Sequence, residues 1–205
     1  MNTKTSIQAL AAALGVLALA GCSLSPLIVT SSAPGGDIAA TEIIQVVPAI
    51  IPTETMAGRC WTHALSVARA DAWRCITDGG AIYDPCFTSP ANLGEPVVVC
   101  GIDPVEGSSG FVLALSEPLP APQLTGPTLP WLVEMENGVI CRVMTGSRPA
   151  AGDQAAAFAC DDLAYLVGEV QQGAIWTAQR AEIARSDQGF VASEPAPVRI
   201  RTAWQ

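Results

Sequence analysis

The cysteines are the first residues of this sequence that could do chemistry, and their spacing limits what that chemistry is. No two of the later six stand in a C-x-x-C pair, which argues against a thioredoxin-type redox motif and against the usual ligand pairs of a zinc site. An even number instead predicts three disulfides in an oxidising compartment, with fifteen pairings left open. The six are Cys60, Cys75, Cys86, Cys100, Cys141 and Cys160.

His63 is the one histidine, so any Ser-His-Asp hydrolase would have to use it. Ser66, Ser108 or Ser109 would then be the nucleophile, and Asp71 or Asp84 would orient the ring. Residues 107–110 read GSSG, which lacks the G-x-S-x-G nucleophile elbow. We therefore interpret His63 as a structural or solvent-facing side chain.

Carboxylates offer a second route to hydrolysis, because two of them across a cleft can cleave glycosidic bonds. Asp84 and Asp103 precede prolines, which is typical of turns, and Asp71 lies between two arginines, which favours a structural ion pair. We assign no catalytic residue, no metal ligand and no cofactor. A carboxylate-based hydrolase acting on envelope polymers remains the alternative hypothesis, with these candidates: Asp71, Asp84, Glu95, Asp103 and Glu106.

The sequence has five tryptophans, and their rings allow two interpretations. Trp61, Trp176 and Trp204 form a candidate binding surface on which a glycan could stack. Small disulfide domains more often bury such rings against their bridges, and we favour that interpretation for the tryptophans as a group.

The N-terminal residues predict export. Lys4 precedes an apolar run over residues 7–19, too short to span a bilayer comfortably but typical of a secretory signal peptide. Residues 19–22 read LAGC, which resembles the lipobox of bacterial lipoproteins. The resemblance implies a signal peptide over residues 1–21 and a lipid anchor, with acyl chains such as palmitate, on Cys22. Ser23 rather than Asp follows, which in that class favours the outer membrane where there are two, and otherwise the outer face of the plasma membrane.

Residues 22–56 are predicted to be a lipid-anchored tether that contains one apolar segment, EIIQVVPAIIP. Pro48 and Pro52 prevent a long helix there and allow only a short or edge strand. We favour a strand docked on the domain over an exposed surface for a partner, since an exposed run of this kind invites association.

Residues 57–205 have the size of one domain, in which Gly and Pro separate short apolar runs rich in β-branched and aromatic residues. The pattern predicts a mainly β, disulfide-stapled antiparallel domain with at most one or two short helices. Asn137-Gly138 predicts a two-residue hairpin in which Val133 faces Arg142. Further turns are predicted near residues 78–80 and 171–173, and the proline-rich residues 117–130 predict a connector between halves of the domain.

Three stretches, GRCW, RADAWRC and IYDPCF, together resemble an uncharacterised six-cysteine domain of secreted and lipid-anchored bacterial proteins. Its pattern runs G-x-C-W, R-x-D-A-W-R-C and I-x-D-P-C-F, and continues to a late tryptophan segment. The resemblance covers residues 58–204. It implies no activity and no catalytic residue, since none is established for that domain.

The net charge is −9 with a pI near 4.4, which argues against nucleic acid and against electrostatic attachment to anionic lipid. Together these features predict a lipid-anchored cell-envelope protein with a non-catalytic extracytoplasmic domain. Its expected partners are the membrane, through the lipid on Cys22, and an envelope protein or a cell-wall glycan.

Overall fold

The structure, a computed structural model, describes residues 39–48, 52–92, 94–121, 128–187 and 189–205. The predicted signal peptide, Cys22 and most of the predicted tether lie outside these residues. The described residues confirm the mainly β prediction, with one short 3-10 helix at Pro90–Asn92 and these strands: β1 (Glu42–Ile44), β2 (Thr55–His63), β3 (Ala72–Thr77), β4 (Ile82–Phe87), β5 (Val97–Asp103), β6 (Ser108–Leu115), β7 (Leu132–Met135), β8 (Ile140–Val143), β9 (Ala150–Ala151), β10 (Gln154–Cys160), β11 (Ala164–Gln171), β12 (Trp176–Ser186), β13 (Gly189–Ala192) and β14 (Ala196–Trp204).

The first sheet closes on itself through strands β2 to β6. Neighbours along the chain pair antiparallel, and β6 returns to pair in parallel with β2. Gly58 shows why the first motif begins with glycine: a Cβ there would lie 2.2 Å from the Ile76 carbonyl oxygen on β3. The interior of this sheet holds Trp73, Phe111, Leu113, Val98 and four half-cystines.

The second sheet runs in the order β1-β14-β7-β8-β10-β11-β12-β13. Strand β14 pairs with β7 through its last residues and with β12 through its first, so the path from β7 to β12 also closes. Its interior is a separate core that includes Val133, Met135, Phe158, Leu166 and Trp176.

Each disulfide joins two antiparallel strands at positions that face each other directly. Cys60 bonds to Cys75, Cys86 to Cys100 and Cys141 to Cys160, and each pair is also a register pair of its strands. Two bridges therefore fix the first sheet and one fixes the second, while none of the three joins the two sheets. The predicted number of bridges is confirmed, and the structure supplies the pairing.

The hairpin predicted at Asn137-Gly138 is present, but the predicted register is wrong by one residue. Val133 faces Cys141, not Arg142, and Leu132 faces Arg142. The loop has three residues, since Gly138 N–H donates to Met135 O and Met135 N–H to Val139 O. Gly138 has φ +85°, so a left-handed residue closes the loop, as in three-residue hairpins, where the sequence predicted a two-residue type I′ turn. The shift places Cys141 on the same buried face as Val133 and Met135.

Both segments that flank the first sheet connect it to the second. Residues 42–44 of the apolar segment form β1, which pairs in parallel with β14, so this part is docked on the domain as the favoured interpretation held. The proline-rich segment leads from β6 to β7 and forms no strand at residues 117–121 and 128–130; residues 122–127 lie outside the described part.

A buried arginine holds the two sheets together. Arg69 precedes β3 and is only 6% exposed, and its guanidinium donates to the carbonyls of Val46 and Gln205 at 2.7 and 2.8 Å. It also forms a two-pronged pair with Asp71 and lies 4.8 Å from the centre of the Phe87 ring. Around it, apolar residues from both sheets form one shared cluster, among them Val67, Phe87, Trp131, Leu132 and Trp204.

We predict that Arg69→Ala lowers the free energy of unfolding by about 3–5 kcal/mol, because it leaves Asp71 and two carbonyl groups at the junction without their donor. Arg59→Ala is the matched control, since Arg59 is exposed and lies 4.0 Å from an exposed glutamate, an arrangement that contributes about 0–1 kcal/mol. Urea unfolding followed by tryptophan fluorescence measures both. Equal losses for the two variants would contradict the role assigned to Arg69.

Candidate functional site

The carboxylates proposed for hydrolysis do not come together around a cleft. Asp71 binds Arg69 and Asp84 binds Arg74, whereas Asp103 and Glu106 share Arg142. A cleft of about 300 Å³ lies over β10, β11 and β12, and none of the hydrolase candidates lines it. Its lining is mainly amide and hydroxyl groups with one carboxylate: Gln154, Val167, Gly168, Glu169, Gln171, Thr177, Ala178 and Gln179.

Asp103 is held as an anion. Partial burial alone would raise its pKa, but hydrogen bonds from the Glu106 and Val105 amides and from the Arg142 guanidinium outweigh burial and keep the pKa below the ordinary 3.8. A general acid needs the opposite shift, toward neutral pH. Asp103 therefore orders the turn between β5 and β6 and holds Arg142.

His63 and two of the three candidate serines, Ser66 and Ser108, make separate contacts. His63 Nε2 lies 3.1 Å from the carbonyl oxygen of Ala121, and its ring packs on Trp73 with centroids 4.4 Å apart. The Ser66 hydroxyl donates to Asp84, and the Ser108 hydroxyl donates to the Gly101 carbonyl. These contacts do not form a Ser-His-Asp relay.

The sulfurs of Cys75, Cys86 and Cys100 lie within 4.8 Å of one another in the core of the first sheet. Each is bonded in a disulfide, so none is a thiolate ligand. This cluster is therefore the packing of two bridges against each other.

The structure separates the tryptophans of the candidate binding surface. Trp176 and Trp204 are buried, in the core of the second sheet and at the junction, as are Trp73 and Trp131. Trp61 is 41% exposed. A surface made of Trp61, Trp176 and Trp204 together does not form, because the strands that carry the last two turn those rings inward.

Trp61 is directed outward by an irregularity of its strand. Cys60 faces Cys75 and Thr62 faces Arg74, so Trp61 is an extra residue on β2, a β-bulge. The other edge of β3 is bulged at the same level, where Asp84 and Pro85 of β4 together face the one residue between Trp73 and Cys75. Bulges change the direction in which a side chain points, and they are frequent at functional sites.

Arg74 lies between these two bulges and connects them. Its guanidinium is 5.7 Å from the centre of the Trp61 ring, within cation–π range, and donates to Asp84 at 2.9 Å. The Asp84 side chain is only 4% exposed. We call Trp61, Arg74 and Asp84 the bulge row.

Asp84 also fixes the loop that follows β2. It accepts the backbone amides of Leu65 and Ser66 at 3.0 and 3.2 Å, besides the Ser66 hydroxyl. Leu65 is 61% exposed on this loop. The site therefore presents an aromatic and an aliphatic side chain to solvent on a backbone that a buried carboxylate holds rigid.

Sequence reasoning found Trp61 and Asp84 but missed Arg74 and Leu65. The sequence predicted that Asp71 forms a structural ion pair with one of its neighbours Arg69 and Arg74. In the structure, Asp71 pairs with Arg69, and Arg74 pairs with Asp84. Strand alternation could have distinguished the two arginines. Arg74 lies within β3, between Trp73 and Cys75, and so points to the opposite face from both, whereas Arg69 precedes the strand.

In comparisons with known proteins, no family model matches the chain, and neither a curated protein nor a solved structure matches it. The described residues contain no helix that is long and apolar enough to cross a membrane.

We predict that Asp84→Ala destabilises the fold by about 3–5 kcal/mol, because it leaves the partly buried Arg74 without its partner and three donors of the loop without an acceptor. Asp84→Asn is the matched variant: it keeps one acceptor oxygen and should lose less. Urea unfolding gives the difference, and amide hydrogen exchange at Leu65 and Ser66 reports the loop. Unchanged exchange in Asp84→Ala would show that Asp84 does not hold it.

Proposed function

We propose that this chain is a lipid-anchored cell-envelope protein whose extracytoplasmic domain binds a protein or cell-wall partner without catalysis. Three disulfides indicate an oxidising compartment outside the cytoplasm, because thiols are kept reduced within it. The LAGC sequence at residues 19–22 supports attachment through Cys22. Two or three acyl chains on one cysteine hold firmly, whereas a single chain binds a membrane only marginally.

The observation that carries the binding proposal is the exposed ring of Trp61 in the bulge row. Tryptophan, tyrosine and arginine dominate binding energy at interfaces. Such side chains contribute most when they are already ordered and lose little conformational entropy on binding. Trp61 meets this condition because Arg74 covers part of its ring and Asp84 fixes Arg74. Glycans and protein surfaces are both recognised by an exposed tryptophan of this kind.

The hydrolase alternative gains no support from the geometry. Asp71, Asp84 and Asp103 already have arginine partners, and the hydrogen bonds to Asp103 keep it ionised. A desolvated carboxylate with a raised pKa is the feature that would have favoured it. Binding is therefore the function that the site supports best.

Replacement of Cys22 tests the anchor. We predict that Cys22→Ser abolishes incorporation of labelled palmitate and moves the protein out of the membrane fraction, because the thioether-forming group is gone. Ser23→Ala is the control and should remain membrane-bound. Continued lipid labelling of Cys22→Ser would rule out this anchor.

Replacement of Trp61 tests the binding site. We predict that Trp61→Ala weakens retention of the partner by about 30-fold, the loss typical of an interface hot spot of about 2 kcal/mol. The assay is a pull-down with the lipidated, membrane-extracted protein from its native envelope, with isolated cell wall tested in parallel. Phe190→Ala is the matched control, since Phe190 is an exposed aromatic residue on the second sheet. Equal retention by both variants would contradict a role for Trp61.

A further inference from the structure

Leu163, in the turn between β10 and β11, has both an unusual backbone and an unusual exposure. Its φ is +68°, in the left-handed region that a bulky side chain rarely adopts, and its side chain is 85% exposed. The first feature costs free energy, and the side chain packs on little within the chain that would offset it. Strain of this kind is a reason to look for function.

Two other hairpins of the same protein show what normally occupies this position. In the turns after β3 and β7, the residue whose amide donates back to the strand end is Gly80 or Gly138, at φ +86° and +85°. The amide of Leu163 donates in the same way to the Cys160 carbonyl at 3.0 Å. Glycine would adopt this backbone conformation with less steric strain, so the turn itself does not explain a leucine at this position.

The surroundings of Leu163 are acidic. Its neighbours Asp161 and Asp162 bind Arg142 and Arg180, and Glu182 lies opposite Ala164 on β12. Arg142 also binds Asp103 and Glu106 of the first sheet, so five carboxylates share two guanidiniums and three negative charges are left over. We call these five carboxylates the acidic rim, and three of them, Asp161, Glu106 and Glu182, are exposed.

Asp162, directly before Leu163, is held in its ionised state. Burial would raise the pKa of Asp162, but hydrogen bonds from Arg180 and from the Ala164 amide outweigh it and hold the pKa below the ordinary 3.8. Asp162 thus keeps its negative charge beside Leu163.

We propose that Leu163 is the anchor of a second interaction surface, separate from the bulge row, that docks a protein with an apolar pocket surrounded by lysine or arginine. A leucine side chain needs an apolar pocket, which a glycan of hydroxyl groups does not offer. The acidic rim selects against anionic lipid and against a second copy of this chain, whose net charge is −9. A protein whose apolar pocket is surrounded by basic residues would bind the Leu163 side chain and complement the charge of the acidic rim.

The decisive variant is Leu163→Gly, because glycine relieves the backbone strain while it removes the anchor. We expect the folding equilibrium constant to rise by about fivefold and partner retention to fall by about tenfold or more. Leu163→Met keeps an apolar side chain in the strained position and should bind within about threefold of the unchanged protein. If Leu163 had only a structural role, Leu163→Gly would instead lower the stability of the fold.

The experiment uses the full lipidated chain, extracted from membranes and immobilised, against solubilised native envelope. Retained proteins are identified by mass spectrometry, and each is then purified and titrated against the unchanged chain, Leu163→Gly, Leu163→Met and Trp61→Ala at low and high salt. The expected result is an identified protein that Trp61→Ala retains and Leu163→Gly loses, with affinity that falls as salt rises. Thermal unfolding of all variants is recorded beside it.

Three outcomes would overturn the proposal. Leu163→Gly could retain everything that the unchanged chain retains, its stability could fall, or the species it loses could be a glycan or a protein whose binding is insensitive to salt. The two surfaces are distinguished by their variants. A partner whose binding is lost only in Trp61→Ala would support the bulge row as a binding site and contradict the Leu163 surface.

Discussion

One guanidinium buried between two closed sheets sets the conditions that the rest of this structure must meet. A buried charge is tolerated only when its hydrogen-bond donors are satisfied. Arg69 finds its acceptors in three separate parts of the chain: Val46 after β1, its own neighbour Asp71, and Gln205 after β14. All three must therefore be in place together, which couples the docking of β1 and β14 to the loop that leads into β3.

Covalent restraints act within each sheet of this protein, and non-covalent contacts act between the two sheets. The disulfides lie within the sheets and fix pairs of neighbouring strands, so their effect is local. The relation between the sheets depends on Arg69, on the shared apolar cluster and on Arg142, which spans from β8 to the turn after β5. With few large aromatic residues in the chain, two small cores supported by bridges replace one large core.

Local patterns predicted more of this fold than of its site. Short alternating runs between glycines and prolines indicated strands, and turn residues located three hairpins. The register at Gly138 was missed because the same residues suit a two-residue and a three-residue loop, and only packing selects between them. Which one of the five tryptophans stays exposed, the pairing of Asp84 with Arg74, and the cysteine pairing all depend on contacts between residues far apart in sequence, which strand periodicity does not encode.

The placement of β1 has a mechanical consequence. It lies parallel to β14, and at the C-terminal end of this pairing Gln205 N–H donates to Ile44 O and Val46 N–H donates to Gln205 O. A pull on β1 in the direction of these strands would load the connecting hydrogen bonds in shear, all at once. An antiparallel hairpin pulled at its open end would separate one bond at a time. The parallel pairing of β1 therefore resists tension that is applied along the strand.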